Sequence, residues 1–264
     1  MIKPNKNLST IFEFLVNRFA KINNVGASLR QRGKCIFCLG RTSNKQKVCP
    51  GCLLDLAWNT HSCPVCAEPS ATQSGEACGQ CQASPPAFDR VIAPLIYQFP
   101  IDICIQRFKY LGQRRYANVF CDLMAYSESL ATNDQHNRVA SLTHDERCIM
   151  AVPMARSQQK KRSYNHSELL AKKLSSRLNM AVRLDIIGKH KVTSSQAGLK
   201  RIERVKNLKG SFSFTTKPCA VPKHVTLIDD VVTTGATAHT IAQLLKENGV
   251  ETVEIWALAR TPKN

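Results

Sequence analysis

From residue 91 onward the chain alternates short apolar runs with amphipathic stretches of helical period. VIAPLIYQF (91–99) reads as a strand. IDICIQRFKYLGQRRYANVFCDLMAYSESL (101–130) reads as one or two helices with Ile101, Ile105, Phe108 and Leu111 on one face. A polar loop (133–147) leads to CIMAVPM (148–154), a second short strand, which runs into the basic segment ARSQQKKRSYN (155–165). Asn165 and Glu168 then have capping-box spacing, and Leu170, Leu174 and Leu178 recur every fourth residue, so a helix opens there. HVTLI (224–228) is apolar and β-branched enough for a central parallel strand, and Ile241, Leu244 and Leu245 mark a following helix that Gly249 ends. Strands alternating with helices in this way predict an α/β domain built on a parallel sheet.

Upstream the pattern changes. Between Cys35 and Cys81 there are few core residues (Leu53, Leu54, Leu56 and Trp58), and eight of the 12 cysteines fall into four C-x-x-C pairs. These are Cys35 and Cys38, Cys49 and Cys52, Cys63 and Cys66, and Cys78 and Cys81, with 10, 10 and 11 residues between consecutive pairs. A two-residue gap lets both thiolates of one tight turn reach the same zinc ion, and two such turns complete a tetrahedral site. Four thiolates leave no open position for water, so one or two structural zinc ions are expected, supplying much of the segment's folding free energy. The spacing reads as a duplicated unit without deciding which pair meets which. Sequential pairing, with the first four cysteines on one ion and the last four on another, closes the shortest loops and is favoured. A redox role is the alternative, but four pairs in series suit ribbons better than a thioredoxin-like site. His61 reads as a surface histidine. Cys104, Cys121, Cys148 and Cys219 have no partner spacing, and free thiols beside zinc knuckles fit a reducing cytoplasm.

Three segments follow from these patterns. LSTIFEFLVNRFAKI lies in an amphipathic N-terminal segment (1–30), read as a helix packing on its own protein in preference to a mitochondrial presequence. A double zinc-ribbon domain (31–84) comes next, and the Pro-rich QASPPAFDR separates it from the α/β domain (88–264). No apolar run approaches the roughly 20 residues of a membrane helix, so no membrane span is expected.

Charge adds a class of partner. The 37 Lys and Arg against 19 Asp and Glu leave a net charge of +18. An excess of this size favours a polyanion, either nucleic acid such as single-stranded DNA or a phosphorylated substrate. Aromatic residues make up 6% of the chain, too few for an extended stacking platform, so contact with DNA would be mainly electrostatic.

The candidate chemistry lies where HVTLI ends. Asp229 and Asp230 close the strand, and VVTTGAT fronts a helix. Backbone N–H groups of Thr234 to Thr237, with the hydroxyls of Thr233, Thr234 and Thr237, make a phosphate cradle at a helix N-terminus, and Gly235 allows close approach. Carboxylates cannot bind that phosphate, but a few ångströms away they can accept hydrogen bonds from vicinal ribose hydroxyls or hold Mg2+. Sugar hydroxyls beside a terminal phosphate suggest ribose 5-phosphate. The basic segment, with Arg156, Lys160, Lys161 and Arg162, also sits at a strand-to-helix turn, where parallel sheets bind ligands, and polyphosphate suits it.

LIDDVVTTGAT resembles the PRPP-binding motif of type I phosphoribosyltransferases. The four cysteine pairs, RFKYLGQ, VPM with the basic segment and YNHSELLAKKL, and SQAGLKRIERVKNLKGSF together resemble the ComF/GntX family, which joins N-terminal zinc ribbons to a phosphoribosyltransferase domain. The resemblance implies a type I phosphoribosyltransferase-like parallel sheet flanked by helices. It implies ribose contacts from Asp229 and Asp230, and PRPP binding with Mg2+ by Val231, Thr233, Thr234, Gly235, Ala236 and Thr237 together with the basic segment. Gln196, Arg204 and Asn207 match a mobile hood over the site. In bacteria the family is associated with competence and the use of external DNA, so competence and DNA-processing proteins are implied partners. Where the family usually has a histidine after Val-Pro and Gly-Phe-Asn-Gln before the helix, this chain has Ala155 and SYNH, ending in His166.

Overall fold

The computed structural model describes residues 33–42, 47–70, 75–130, 146–190, 210–215 and 221–263, with the backbone alone for 126–130, 156 and 161. The amphipathic segment at 1–30, most of the polar loop from 133, Cys219 and the hood candidates Gln196, Arg204 and Asn207 lie outside the described residues. The chain divides into two compact units between Leu56 and Ala57. That division falls before Cys63, so the second cysteine group shares its unit with the sheet.

In the first unit, β1 (Gly33–Lys34) pairs antiparallel with β2 (Arg41–Thr42), and α1 (Pro50–Leu54) follows. Cys49 caps α1 by accepting the Cys52 N–H, and Pro50 suits the first helical turn because its missing N–H would be unpaired there.

In the second unit α2 (Gly79–Ala83) precedes β3 (Arg90–Ile92), β4 (Leu95–Ile96), α3 (Ile101–Tyr110) and α4 (Tyr116–Leu130). Next come β5 (Arg147–Ala151), α5 (Arg156–Arg162), α6 (His166–Leu178), β6 (Ala181–Val182), β7 (Ile187–Lys189) and β8 (Phe212–Phe214). The last elements are β9 (His224–Ile228), β10 (Val231–Val232), α7 (Ala236–Glu247), β11 (Thr252–Trp256) and β12 (Ala259–Arg260). Five strands form a parallel sheet in the order β3-β11-β9-β5-β6. β9 sits at its centre because Val225, Leu227 and Ile228 are buried, as a strand covered on both faces requires.

Three neighbouring strands break once and run on as a second parallel sheet in the same lateral order, β4-β12-β10. Bonds cross the break: Asp229 N–H donates to Trp256 O, Ala257 N–H to Ile92 O, and Leu258 N–H to Asp230 O. The two acids therefore lie at an interruption held by its neighbours. β7 and β8 form a separate antiparallel pair.

Several elements differ in detail from the sequence pattern. VIAPLIYQF is two short strands parted at Ala93 and Pro94, one of the three breaks. Ile101, Ile105 and Phe108 are buried as expected, but Leu111 lies just past the end of α3 and is 67% exposed. The basic segment is helical over Arg156–Arg162 and ends at Ser163 in the left-handed region. Asn165 caps α6, its Oδ1 accepting from Ser167 N–H at 3.1 Å and Glu168 N–H at 3.4 Å. β11 goes beyond the apolar runs named above; its Glu254 pairs with Arg90 of β3 at 2.7 Å.

Candidate ligand site and metal centres

The eight paired cysteines group sequentially, Cys35, Cys38, Cys49 and Cys52 in one cluster and Cys63, Cys66, Cys78 and Cys81 in the other, each with its sulfurs within 4.8 Å of one another. The clusters repeat one design. Cys35 N–H donates to Gly40 O and Leu39 N–H to Cys35 O, with Leu39 left-handed; Cys63 N–H donates to Glu68 O and Ala67 N–H to Cys63 O, with Ala67 left-handed. Cys49 N–H points at Cys35 Sγ (3.4 Å) and Cys78 N–H at Cys63 Sγ (3.3 Å). Burial would raise both first cysteines, but N–H donors outweigh it and bring Cys35 and Cys63 down to about 7. Four convergent thiols with amide donors to sulfur fit a tetrahedral zinc ion in each cluster. His61 is not among the donors. Cys104, Cys121 and Cys148 are buried thiols of the fold, pushed up by that burial.

The chain leaves β5 toward β6 on one side and leaves β9 toward β11 on the other. Such a reversal opens a crevice beyond the carboxyl ends of the two strands, the place where open parallel sheets bind ligands. Asp229 and Asp230 leave β9 on one side of it, and the basic segment leaves β5 on the other.

The two acids are not equivalent. Asp229 is half-buried, and its Oδ1 accepts from Ser167 Oγ (3.1 Å) and from Asp230 N–H (2.9 Å). Asp230 is 2% exposed, with the Lys109 ammonium 2.8 Å from Oδ1 and His166 Nε2 3.1 Å from Oδ2. Burial, then the Asp230 charge, pushes the Asp229 carboxyl up to about 7. Burial acts in the same sense on Asp230, but Lys109 and His166 outweigh it and hold that carboxyl below its ordinary range. His166 is driven down to about 4 by burial, against the pull of Asp230, so its imidazole is neutral at pH 7. Burial works to discharge Lys109, yet the two aspartates keep it charged. Asp229, Asp230 and His166 bring three donor atoms together. With an ammonium already neutralising Asp230, they do not fit a resident Mg2+.

After the acids, β10 carries Val231 and Val232, and Gly235 caps α7 with a φ of 73°. Only glycine adopts that backbone without strain. A side chain there would also meet the Phe88 ring at 3.6 Å. Thr234 Oγ1 accepts the Ala236 N–H at 3.4 Å, and the first helical bond runs from His239 N–H to Gly235 O. The other N–H groups of this first turn have no acceptor within the helix, which makes the turn of Thr233, Thr234, Ala236 and Thr237 an anion cradle.

The basic residues are dispersed. Lys160 is exposed, whereas the Arg162 guanidinium stacks 4.7 Å from the Tyr110 ring centroid and donates to its hydroxyl at 3.3 Å. For Arg156 and Lys161 the backbone places them at the two ends of α5 without describing their side chains. A cleft of about 730 Å3 opens beside β5, lined by Met150, Pro153, Ala155, Asn165, Glu168 and Lys189 among others. Burial lowers the Lys189 ammonium, and Asp229 pulls it back. Lys109, Ser167 and Lys189 are the site residues that sequence reasoning missed. Lys109 did carry a signal, since it lies within the RFKYLGQ stretch that supports the family resemblance.

The Phosphoribosyl transferase domain family matches residues 150–264. The chain is 32% identical to Competence protein F of Haemophilus influenzae over 234 residues, which cover 86% of this chain and 96% of that protein. It is 30% identical to the DNA utilization protein YhgH of Escherichia coli K12 over 214 residues, 81% of this chain and 90% of that one. Competence protein ComFC of Bacillus subtilis is 26% identical over 212 residues, 77% of this chain and 80% of its own length. The five-stranded parallel sheet with its flanking helices has the type I phosphoribosyltransferase arrangement that this match implies. Identity of 32% over 86% of the chain and 96% of a relative, with the phosphoribosyl transferase domain matched in the C-terminal part, places the chain in the ComF/GntX family.

Proposed function

We propose that this chain binds PRPP, or a related 5-phosphorylated ribose, at the carboxyl end of β9, and that it serves in the uptake and use of external DNA. The observation that carries the reading is the juxtaposition at one strand end of Asp229 and Asp230 with the unpaired N–H groups of the α7 first turn. The phosphate lies on the turn of Thr233 to Thr237 and the ribose hydroxyls face the acids. Asp229, with exposure left and one oxygen steadied by Ser167, is the principal acceptor, while Asp230 holds Lys109 behind it. The negative charge of the pyrophosphate suits the basic helix α5 at the exit of β5, and any Mg2+ would be carried by that group and not by the aspartates.

If a nitrogen nucleophile attacks the anomeric carbon as pyrophosphate leaves, the aspartates stabilise developing positive charge on the ribose. His166 is neutral but a weak base, so the acceptor must carry its own nucleophilicity. PRPP with Mg2+ at about a hundredfold its Kd should raise the melting temperature by about 5 °C or more. Asp229→Asn with Asp230→Asn should abolish that shift, and a parent protein that shows none overturns the reading. The relatives' names and the net charge of +18 favour a second reading, in which the chain holds single-stranded DNA and adapts it to competence proteins while the phosphoribosyl site only senses its ligand.

A further inference from the structure

Arg260, on β12, is 2% exposed, and its guanidinium joins two parts of the second unit. On one side Nε donates to Cys66 O (3.0 Å) and Nη2 to Glu68 Oε2 (2.5 Å). On the other, Nη1 donates to Val232 O (3.1 Å), to Thr233 O and to Thr261 O (2.6 Å). Cys66 is a ligand of the second tetrad. Glu68 is fixed by the same turn, because its carbonyl accepts the Cys63 N–H, and its Oε1 accepts the Lys263 N–H at 2.7 Å. Val232 and Thr233 begin the phosphate cradle.

The linker after the tetrad makes the same connection a second time. Ala87 N–H donates to His239 Nδ1 in the first turn of α7 (3.0 Å), and the Phe88 ring lies 3.6 Å from where a Cβ on Gly235 would sit. Cys63, Cys66 and Cys81 share one apolar core with Phe88, Val232 and Ala236. A buried guanidinium is tolerated only while its charge and N–H groups are matched. Its acceptors here come from both the metal turn and the phosphate turn, so neither turn can shift without leaving it unsatisfied.

We propose that metal at Cys63, Cys66, Cys78 and Cys81 and phosphate at Thr233–Thr237 are energetically linked, with Arg260 as the positioning residue between them. The proposal rests on the phosphoribosyl reading of that turn and deepens it, since the second tetrad then governs the affinity of the site as well as folding its own loop. Linkage is reciprocal: if zinc favours the phosphate-binding arrangement, a bound phosphate ester must raise the affinity for that zinc by the same factor, and the tighter hold is expected to show as slower release. The first tetrad lies in the other compact unit and serves as the internal reference.

The test uses the full zinc-loaded chain, with ribose 5-phosphate as the probe and a competing chromogenic chelator to follow metal release. One of two release phases should slow about fivefold or more in saturating ribose 5-phosphate. Cys38→Ser should delete the unaffected phase and leave the protected one. Arg260→Lys and Glu68→Gln, both retaining two zinc ions, should weaken ribose 5-phosphate several-fold and remove the protection. A merely structural role for Arg260 would lower stability without abolishing the ligand dependence of zinc release. The proposal is overturned if ribose 5-phosphate binds but slows neither phase, slows both alike, or still protects in both variants. If ribose 5-phosphate does not bind the parent chain at all, the phosphate reading itself falls, and this inference with it.

Discussion

At Asp230 a lysine, a histidine and a second aspartate share one pocket and set one another's charge. His166 stands where the family pattern has glutamine, and its folded pKa of about 4 lies below the ordinary 6.5. The stability that neutral His166 permits is therefore fully present above pH 6.5 and lost as pH falls through 4. Asp229 runs in the opposite sense. Raised from 3.8 to about 7, it favours the fold fully below pH 3.8, and that contribution is lost as pH rises through 7. His166→Gln puts a polar group that does not titrate in place of the ring beside Asp230. It should gain on the parent as pH drops from 6.5 to 4, on the order of 3 kcal/mol across the window. Ligand-free Asp229→Asn should instead gain on the parent as pH climbs from 4 to 7. Melting curves collected from pH 4 to 8 separate the two, and parallel profiles for the parent and His166→Gln would refute the buried neutral imidazole.

At the scale of elements, the break in three adjacent strands is what presents the acids, and the turn into α7 is what presents the threonines. That turn depends on Gly235 at a φ of 73°. Phe88 lies at ordinary contact distance from an added Cβ, so the strain of Gly235→Ala comes from the backbone, about 1–2 kcal/mol. Urea unfolding should show that loss, and calorimetry a weaker grip on ribose 5-phosphate; an unchanged unfolding midpoint would mean the turn adopts another conformation. The acids were legible because an apolar run stops at two carboxylates, and the tetrads because near-equal spacings of 10, 10 and 11 residues read as duplication. Asn165 was legible as a cap for the same local reason. Ser167 was not, and Lys109 was marked only by its place in RFKYLGQ: each reads locally as an ordinary polar residue of its own helix and meets the aspartates only through tertiary packing. The division at Leu56 and Ala57 was hidden as well, because cysteine spacing marks both tetrads alike, whereas burial of Cys63, Cys66 and Cys81 among residues of the sheet domain is a tertiary feature.

Across the whole molecule, +18 of net charge acts on any polyanion regardless of what occupies the crevice. Part of that charge is spoken for inside the fold, since half-buried Lys109 pairs with Asp230, buried Arg260 with Glu68, and Arg177 with Asp122. Other cations reach solvent beside exposed rings. Tyr110 is 63% exposed under Arg162, and Phe99 is 72% exposed at the head of the same helix, α3. A handful of phosphate contacts with little stacking gives binding that is strong in dilute salt and collapses as counterions compete. For roughly five contacts to single-stranded DNA, affinity should fall about a hundredfold between 50 and 200 mM salt. Asp229→Asn with Asp230→Asn should leave that dependence unchanged if DNA and phosphoribosyl ligand occupy separate surfaces. Tyr110→Ala with Arg162→Ala should flatten the slope by about the 0.7 expected for one lost phosphate contact. Fluorescence anisotropy of a labelled oligonucleotide across a salt series reads both outcomes. Binding that ignores salt, or none even at the lowest salt, would remove the electrostatic account and with it the main support for a direct role in handling DNA.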